Sequence, residues 1–343
     1  MSHAYRADGW NAHKKSYDGL AGGAALTCAA VMTGGTLWLQ PYVTAETVLL
    51  RALGGTAWLL LHVVLSIGPL CRLDRRLLPL LYNRRHLGVM TFGFAAAHAG
   101  LALVQFHAAG DRHPLVSLLT TSTGWVTVDR FPFQIFGLGA LAVLFVMAAT
   151  SHDFWLRTLT APVWKALHMS VYLAYAALVL HIAFGALQSE APAEAALLLG
   201  LGVSWLATLH SVAAWRGHRA DREAAVTDGF VDVCAVADIP DSRARIVCAS
   251  GERVAVFRYG DLVSAISNVC QHQNGPLGEG KIVGGCVVCP WHGYEYRPDT
   301  GASPPPFTEA VPTFRVKVQQ GRVLLDPRPL PPGTYVAPAR FTS

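Results

Sequence analysis

Residues 270–292, CQHQNGPLGEGKIVGGCVVCPWH, decide the fold of the C-terminal part of this chain. The stretch begins with the arm CQH and ends with the arm CPWH, so each arm supplies one thiol and one imidazole. This donor set suits a [2Fe–2S] cluster in which one iron is bound by two Cys and the other by two His. Zinc is the alternative, but zinc sites usually pair Cys with Cys and His with His along the chain. The predicted cluster ligands are Cys270, His272, Cys289 and His292.

Apolar and polar residues alternate around these arms in short runs that are broken by Gly, Pro and Asp. Examples are FVDVCAV at 230–236 and RVAVFRYG at 253–260. Strands this short and this regularly interrupted indicate an all-β sandwich or barrel. We therefore predict a soluble all-β domain over residues 226–330, followed by a Pro-rich tail over 331–343.

The segments VAVFRYGDLVSAISNVC and CQHQNGPLGEGKIVGGCVVCPWHGYEYRPDTG, together residues 254–301, resemble the Rieske ferredoxin family. The resemblance implies that Cys270 and Cys289 hold one iron, and that two His hold the outer, more exposed iron. It also places a proline loop, residues 304–306, over the cluster.

Three positions separate this chain from the Rieske proteins of quinol–cytochrome c oxidoreductases, and a fourth is shared with them. Gly275 and Trp291 stand where those proteins have two disulfide-forming Cys, and Tyr294 stands where they have a Ser near a bridging sulfide. Tyr296 matches a Tyr whose hydroxyl lies near a cysteine sulfur. Fewer hydrogen bonds to sulfur lower the reduction potential, so we expect a lower-potential, ferredoxin-type centre.

The N-terminal part is predicted to be a membrane-spanning all-α six-helix bundle. Hydrophobic residues make up 52% of the chain and charged residues only 14%, and charges are scarcest before about residue 216. Six apolar stretches approach the length of about 20 residues that crosses a bilayer, and we find no internal repeat. We assign residues 1–18 to a tail and 19–222 to the membrane domain, with predicted spans at 19–40, 47–70, 87–107, 133–151, 166–187 and 194–215.

Basic residues predict the orientation of the bundle, because Lys and Arg concentrate in cytoplasmic loops. They cluster before the first span, between spans two and three, between spans four and five, and after the last span. We therefore predict a multi-pass protein of a bacterial-type inner or cell membrane, with both termini and the Rieske domain in the cytoplasm. The net charge of +5 follows from this pattern, so we expect no nucleic-acid partner.

Histidines inside the predicted spans indicate a buried haem, for which His is a common axial ligand. His98 lies 13 residues beyond Arg85 and His181 lies 16 beyond Lys165. Both therefore lie roughly 20–24 Å from the cytoplasmic edge, at about 1.5 Å per residue. This shared depth predicts one b-type haem between them.

A second haem would need ligands nearer the cytoplasm. His168 precedes His181 by 13 residues, but thirteen helical steps leave the two roughly 140° apart around the helix. His86 lies at a matching depth, and an interfacial polar role suits it equally well. We predict that His62 and His210 are hydrogen-bonded bundle residues.

Residues 67–103, IGPLCRLDRRLLPLLYNRRHLGVMTFGFAAAHAGLAL, and residues 150–181, TSHDFWLRTLTAPVWKALHMSVYLAYAALVLH, resemble the ferric reductase-like transmembrane family. Within it they are most similar to the haem-binding membrane subunit of bacterial periplasmic methionine sulfoxide reductase systems. The resemblance implies haem-associated roles for His98, His168 and His181.

These features together predict an electron-transfer protein, an oxidoreductase component that passes electrons between a cytoplasmic Rieske cluster and haem towards an acceptor at the far face. No Gly-rich dinucleotide fingerprint follows a strand, so we expect no nicotinamide or flavin site and a separate electron donor, a flavoprotein reductase or quinol. The alternatives are a membrane-anchored ferredoxin that serves an oxygenase, and a terminal oxygenase. The second is disfavoured because only about 50 residues follow His292.

Overall fold

A computed structural model gives the architecture of the chain. The residues that it describes are 12–81, 84–120, 131–152, 155, 158–159, 161–187, 192–220, 226–227, 229–272, 274–290, 293–305 and 307–341. The chain divides near residue 214 into two compact units, one helical and one built of strands. The predicted domain boundaries at 19, 222, 226 and 330 stay predictions.

The N-terminal unit contains helices joined by turns, and no strand among its described residues. A short 3-10 helix, Arg75–Leu81, follows the second α-helix, and Ser170 separates the sixth from the seventh. The α-helices are α1 (Ala12–Leu39), α2 (Ala45–Leu73), α3 (Arg84–His107), α4 (Pro114–Thr120), α5 (Gln134–Ala149), α6 (Ala161–Met169), α7 (Val171–Leu187) and α8 (Pro192–Ala220).

Among the described residues, five apolar helices are long enough to cross a membrane, and the predicted fourth span corresponds to the shorter apolar helix α5. Their surfaces carry large apolar side chains that water would disfavour, such as Trp38 at 85% exposure and Leu173 at 66%. A bilayer is the solvent that such surfaces suit. Helix α2 is central, because 44% of its apolar stretch is buried within the unit, compared with 6% for α1.

The C-terminal unit is built of short antiparallel strands, as predicted. The first sheet has the order β1-β2-β11-β10, the second β12-β5-β4-β3 with β9 also paired to β5, and the third β6-β7-β8. The strands are β1 (Val226–Thr227), β2 (Phe230–Ala235), β3 (Arg243–Ala249), β4 (Glu252–Tyr259), β5 (Leu262–Ser267), β6 (Lys281–Val283), β7 (Cys286–Val288), β8 (Glu295–Tyr296), β9 (Thr313–Phe314), β10 (Val316–Gln319), β11 (Arg322–Leu325) and β12 (Ala339–Arg340).

Two apolar cores form within this unit, and the second core lies beneath the predicted cluster site. The first includes Val231, Val256 and Phe314. The second contains Cys270 and Cys289 together with apolar side chains of β4, β5, β7 and β8. The two Cys arms are therefore attached to a packed sheet scaffold, which fixes where each arm begins.

Gly280 shows how closely the segment after the first arm packs on the strand that leads into the second arm. It precedes β6, whose first residue Lys281 pairs with Val288 of β7. A Cβ at Gly280 would lie only 2.1 Å from the carbonyl oxygen of Val288. No side chain fits at that distance, so a glycine is required here.

Candidate metal centres

The first arm is a tight loop that begins shortly after β5. The Cys270 N–H donates to the carbonyl of Gly275 at 2.9 Å, and the Asn274 N–H donates back to the carbonyl of Cys270 at 2.7 Å. Asn274 takes a left-handed conformation with φ of +57°, which Asn tolerates better than most residues. The loop is thus closed by its own backbone, and the Cys270 side chain is buried at its base.

The second arm repeats this closure between β7 and β8. The Cys289 N–H donates to the carbonyl of Tyr294 at 2.8 Å, and the Gly293 N–H donates to the carbonyl of Cys289 at 2.9 Å. Gly293 has a φ of +71°, and so it takes the position that Asn274 has in the first arm. The fourth predicted ligand, His292, and its neighbour Trp291 lie outside the described residues.

The paired loops fit a [2Fe–2S] cluster. Each holds a buried Cys, 1% exposed in both cases, at the same point of the same backbone turn. The loop of residues 270–275 adds His272 two positions after its Cys. Among the described residues no three His, Cys, Asp or Glu side chains come together at metal-binding distance. The fit therefore rests on the donor types and on the matched turns of the two arms.

Tyr296 places a hydroxyl group beside the cluster site, which confirms the prediction for this residue. Its oxygen lies 3.4 Å from Cys270 Sγ and accepts a hydrogen bond from the Gln271 N–H at 3.0 Å. Since the Gln271 N–H already donates to the oxygen, the hydroxyl hydrogen can point to the sulfur. Burial, with the neighbouring Cys270 sulfur, raises the pKa of Tyr296 well above its usual value, so the donor proton is retained at neutral pH.

Tyr294 supports the predicted ligand His272 instead of reaching towards sulfur. The two rings stack with centroids 5.1 Å apart and planes 9° apart. The Tyr294 hydroxyl donates to the Glu309 carboxylate, and Phe307 packs on the ring with centroids 4.8 Å apart. Burial, and then the bond to Glu309, raise the pKa of Tyr294. The phenol therefore stays protonated and ties the ring to the loop that carries Glu309.

That loop is the predicted proline loop. Ala302 and Ala310 form an isolated bridge at its base, and the Phe307 N–H donates to the carbonyl of Pro304 at 3.1 Å. Pro304 and Pro305 lie on this loop, and Pro306 lies outside the described residues. Because Glu309 and Phe307 both contact Tyr294, the loop is connected to the His272 side of the site.

We expect the substitution Tyr296→Phe to lower the midpoint potential of the cluster by about 20–60 mV. A hydrogen bond contributes about 0.5–1.5 kcal/mol, and 1.4 kcal/mol corresponds to about 59 mV for one electron. Donation to sulfur favours the reduced, more negative cluster, so its loss lowers the potential. Redox titration followed by EPR measures the effect. Tyr259→Phe is the control, because the Tyr259 hydroxyl bonds Ser264 at 2.8 Å; equal shifts in both variants would contradict the role of Tyr296.

In the helical unit, the structure brings His98 and His181 together. His98 of α3 and His181 of α7 have ring centroids 6.4 Å apart, with planes at 86°. His98 Nδ1 lies 2.9 Å from the Leu50 carbonyl oxygen of α2, and His181 Nδ1 lies 3.1 Å from the Phe133 carbonyl oxygen beside α5. A carbonyl can only accept, so each Nδ1 must carry the proton. Each Nε2 is then the nitrogen available to a metal.

The pair fits a haem iron. Metal–imidazole bonds are about 2 Å long, so two imidazoles on opposite sides of one metal ion have ring centres about 6 Å apart. The observed 6.4 Å agrees with this spacing. Histidines that bind metals usually donate the other ring N–H to a carbonyl or carboxylate, which fixes the ring. The hydrogen bonds of His98 and His181 to the carbonyls of Leu50 and Phe133 are of this kind.

The other histidines have different surroundings. His168 stacks on Trp164 of its own helix at 3.6 Å between centroids and bonds the Trp164 carbonyl through Nδ1. Its Nε2 lies 3.5 Å from Ser151 Oγ. His86, the partner considered for a second haem, pairs with Asp18 at 2.7 Å. Among the contacts of the described residues, none joins His86 to His168.

His62 and His210 are hydrogen-bonded bundle residues, as predicted. His62 Nδ1 lies 2.9 Å from the Trp58 carbonyl oxygen, and His62 Nε2 lies 3.2 Å from the Tyr175 hydroxyl. His210 Nε2 lies 3.2 Å from the Leu65 carbonyl oxygen. Both nitrogens of His62 have partners, so this ring offers no nitrogen to a metal.

The sequence analysis missed the groups that hold His98 and His181. Those groups are backbone carbonyls on other helices, which have no residue-type signature. A usable signal was present in the spacing, because each His follows its carbonyl partner by 48 residues. His181 follows His98 by 83 residues, and Phe133 follows Leu50 by the same number.

Comparison with known proteins assigns both parts of the chain. Residues 229–315 match the Rieske [2Fe-2S] domain, and residues 51–179 match the ferric reductase like transmembrane component. The ferredoxin component of the alkene monooxygenase system of Xanthobacter autotrophicus is 30% identical over 103 residues, which are 30% of this chain and 84% of that protein. Ferredoxin CarAc of Metapseudomonas resinovorans is 32% identical over 96 residues, 27% of this chain and 90% of that protein. Among solved structures, the ferredoxin of carbazole 1,9a-dioxygenase from Nocardioides aromaticivorans IC177 is 28% identical, covers 29% of this chain and 98% of its own, and has a TM-score of 0.28.

Fold and site together define a ferredoxin-like iron–sulfur domain joined to apolar membrane helices. The chain belongs to the Rieske [2Fe-2S] family through residues 229–315 and carries a ferric reductase-like transmembrane component over 51–179. This confirms the predicted Rieske cluster, the multi-pass membrane character and the class of electron-transport proteins. The closer likeness to a methionine sulfoxide reductase membrane subunit stays a prediction.

Proposed function

We propose that this protein carries electrons between a Rieske cluster on the cytoplasmic side and one b-type haem in a bundle of six membrane spans, towards an acceptor at the far face. The observation that carries the proposal is the His98–His181 pair, whose rings are held at metal-binding spacing on the same chain as the Rieske arms. Electron transfer between them best explains why one polypeptide carries two redox-type sites.

The residues of the chain have distinct tasks in this scheme. Cys270 and Cys289 would bind the inner iron, and His272 and His292 the outer iron. The carbonyls of Leu50 and Phe133 orient the haem ligands by fixing their Nδ1 atoms. When bound, the cluster and the haem each take up and release one electron at a time.

A separate donor is part of the proposal, because the sequence has no dinucleotide fingerprint of its own. We propose a soluble flavoprotein reductase as the donor to the cluster. The ferredoxin components to which the Rieske domain is similar belong, by name, to an oxygenase system. Quinol is the alternative donor, and it would enter at the haem. The acceptor at the far face is unidentified.

Electron transfer within the purified full-length protein tests the proposal. Under anaerobic conditions, NADH and a ferredoxin reductase would be added while the cluster and the haem are followed by their separate absorption bands. We expect reduction of the cluster followed by reduction of the haem. In Cys270→Ser, which retains the haem, reduction of the haem by this donor should fall to the background rate. Equal rates in the two proteins would overturn the proposed route.

A second function, that of a membrane-anchored ferredoxin for an oxygenase, is favoured by the ferredoxin relatives. In that case the helices are only an anchor and the His98–His181 pair has no redox task. Purified protein that shows the Rieske spectrum without a b-type Soret band would support this function and exclude the first.

A further inference from the structure

Two helical hairpins of the membrane unit present their histidines in the same way. The first is α2–α3 with His98, and the second is α5–α7 with His181. The 83-residue offset that relates Leu50 to Phe133 also relates Gly54 to Gly137. The same local arrangement of a carbonyl and a glycine therefore occurs twice, once for each predicted haem ligand.

Packing within the two hairpins follows the same repeat. Ala57 of α2 and Ala140 of α5 are both buried, and so are Leu61 and Leu144, one turn further along. Each pair is again separated by 83 residues. Equivalent positions are therefore buried in both hairpins, although few residues are identical between them.

The glycines of the repeat lie directly against the imidazole rings. A Cβ at Gly54 would lie 2.8 Å from His98 Nδ1 and 3.0 Å from its Cε1. A Cβ at Gly137 would lie 2.7 Å from His181 Nδ1 and 2.8 Å from its Cε1. Such separations are well inside van der Waals contact, so each ring rests against bare helix backbone. Any larger residue would have to push the ring aside.

Each glycine follows the carbonyl partner of the same ring by one helical turn. Leu50 and Gly54 therefore share one face of α2, and Phe133 and Gly137 share one face of the α5 segment. The carbonyl holds Nδ1 of the ring in place through a hydrogen bond. Contact with the glycine then sets the rotation of the ring about that hydrogen bond. The two contact sites lie on different helices. The imidazole planes of His98 and His181 make an angle of 86° with each other.

We propose that Gly54 and Gly137 are positioning residues that set the mutually perpendicular imidazole planes of the haem ligands. The inference rests on the proposed haem between His98 and His181. Groups behind a metal-binding histidine orient its ring and tune the metal. Perpendicular planes make the two iron orbitals that π-bond with the imidazoles nearly equal in energy. The oxidised low-spin haem should then give a strongly anisotropic EPR signal with a large maximal g value.

The test uses the full-length protein and the variants Gly54→Ala and Gly137→Ala. Gly100→Ala on α3 and Gly139→Ala on α5 are matched controls, because a Cβ at either position meets nothing within 4 Å. Alanine favours the helix more than glycine does, so the substituted helix should form in all four variants. Haem content is measured by the pyridine haemochrome method, and the maximal g value by EPR of the oxidised protein.

We expect wild type and both controls to give the same large maximal g value. Gly54→Ala and Gly137→Ala should each lower the maximal g value, or lose haem while the protein elutes as wild type on size exclusion. A wild-type signal and haem content in both glycine variants would overturn the inference. A fold defect in one variant leaves the other as an independent test, because the two sites lie on different hairpins. Wild-type protein without haem would overturn the proposed function instead, and so the two failures are distinguishable.

Discussion

Replacing His98 or His181 by alanine should remove nearly all haem from the purified protein while the cluster signal remains at wild-type level. The loss of even an outer-shell partner of a metal ligand costs about 10–100-fold in affinity, so loss of the ligand itself should cost more. The Soret band per mole of protein measures haem. The g values and intensity of the reduced [2Fe–2S] signal measure the cluster.

The controls for this experiment are His62→Ala and His210→Ala. Both residues are membrane-unit histidines with protein hydrogen-bond partners, so their removal should leave the haem content close to wild type. If His98→Ala and His181→Ala both retain haem, the paired-ligand assignment is wrong. If all four variants lose haem equally, the effect is a general loss of bundle structure.

Replacing Cys270 or Cys289 by serine should abolish the [2Fe–2S] cluster and leave the haem in place. Each Cys is 1% exposed at the base of its loop, and no other described cysteine occupies a comparable turn. Serine keeps the size of the side chain but is a poor ligand for this soft cluster site. Iron and acid-labile sulfide analysis, with EPR of the reduced protein, should show near-complete loss.

Cys286→Ser and Cys248→Ser are the matched controls. Cys286 begins β7, only three residues before Cys289, and Cys248 lies in β3. Neither belongs to a predicted ligand arm, so both variants should keep full iron and sulfide content. Retention of the cluster in Cys270→Ser would exclude this residue as a ligand.

The Rieske domain was predictable from the sequence, because the signal of its two arms lies in residue type and short spacing. Cys270 and His272 are two residues apart, and the loops between the arms are constrained by local turns. Tyr296 was also predicted, and its hydroxyl does lie beside Cys270 Sγ. The orientation of Tyr294 was not predicted, because it depends on Glu309, which follows it by 15 residues in a separate loop.

The membrane unit was predictable in outline but not in its supporting contacts. Length and apolarity predict helices at membrane depth, and shared depth pairs His98 with His181. Glycines are common in membrane helices, so Gly54 and Gly137 have no distinguishing signal when taken singly. Only the packing of α2 on α3 and of α5 on α7 shows that each lies beneath a histidine.

The way the two Cys loops close has a consequence for substitutions within them. The hydrogen bonds of Cys270 with Asn274 and Gly275, and those of Cys289 with Gly293 and Tyr294, join backbone groups only. Exchange of either Cys for Ser therefore removes the sulfur ligand and leaves in place every group that closes the loop. The shape of each loop and the identity of its ligand can thus vary independently of one another.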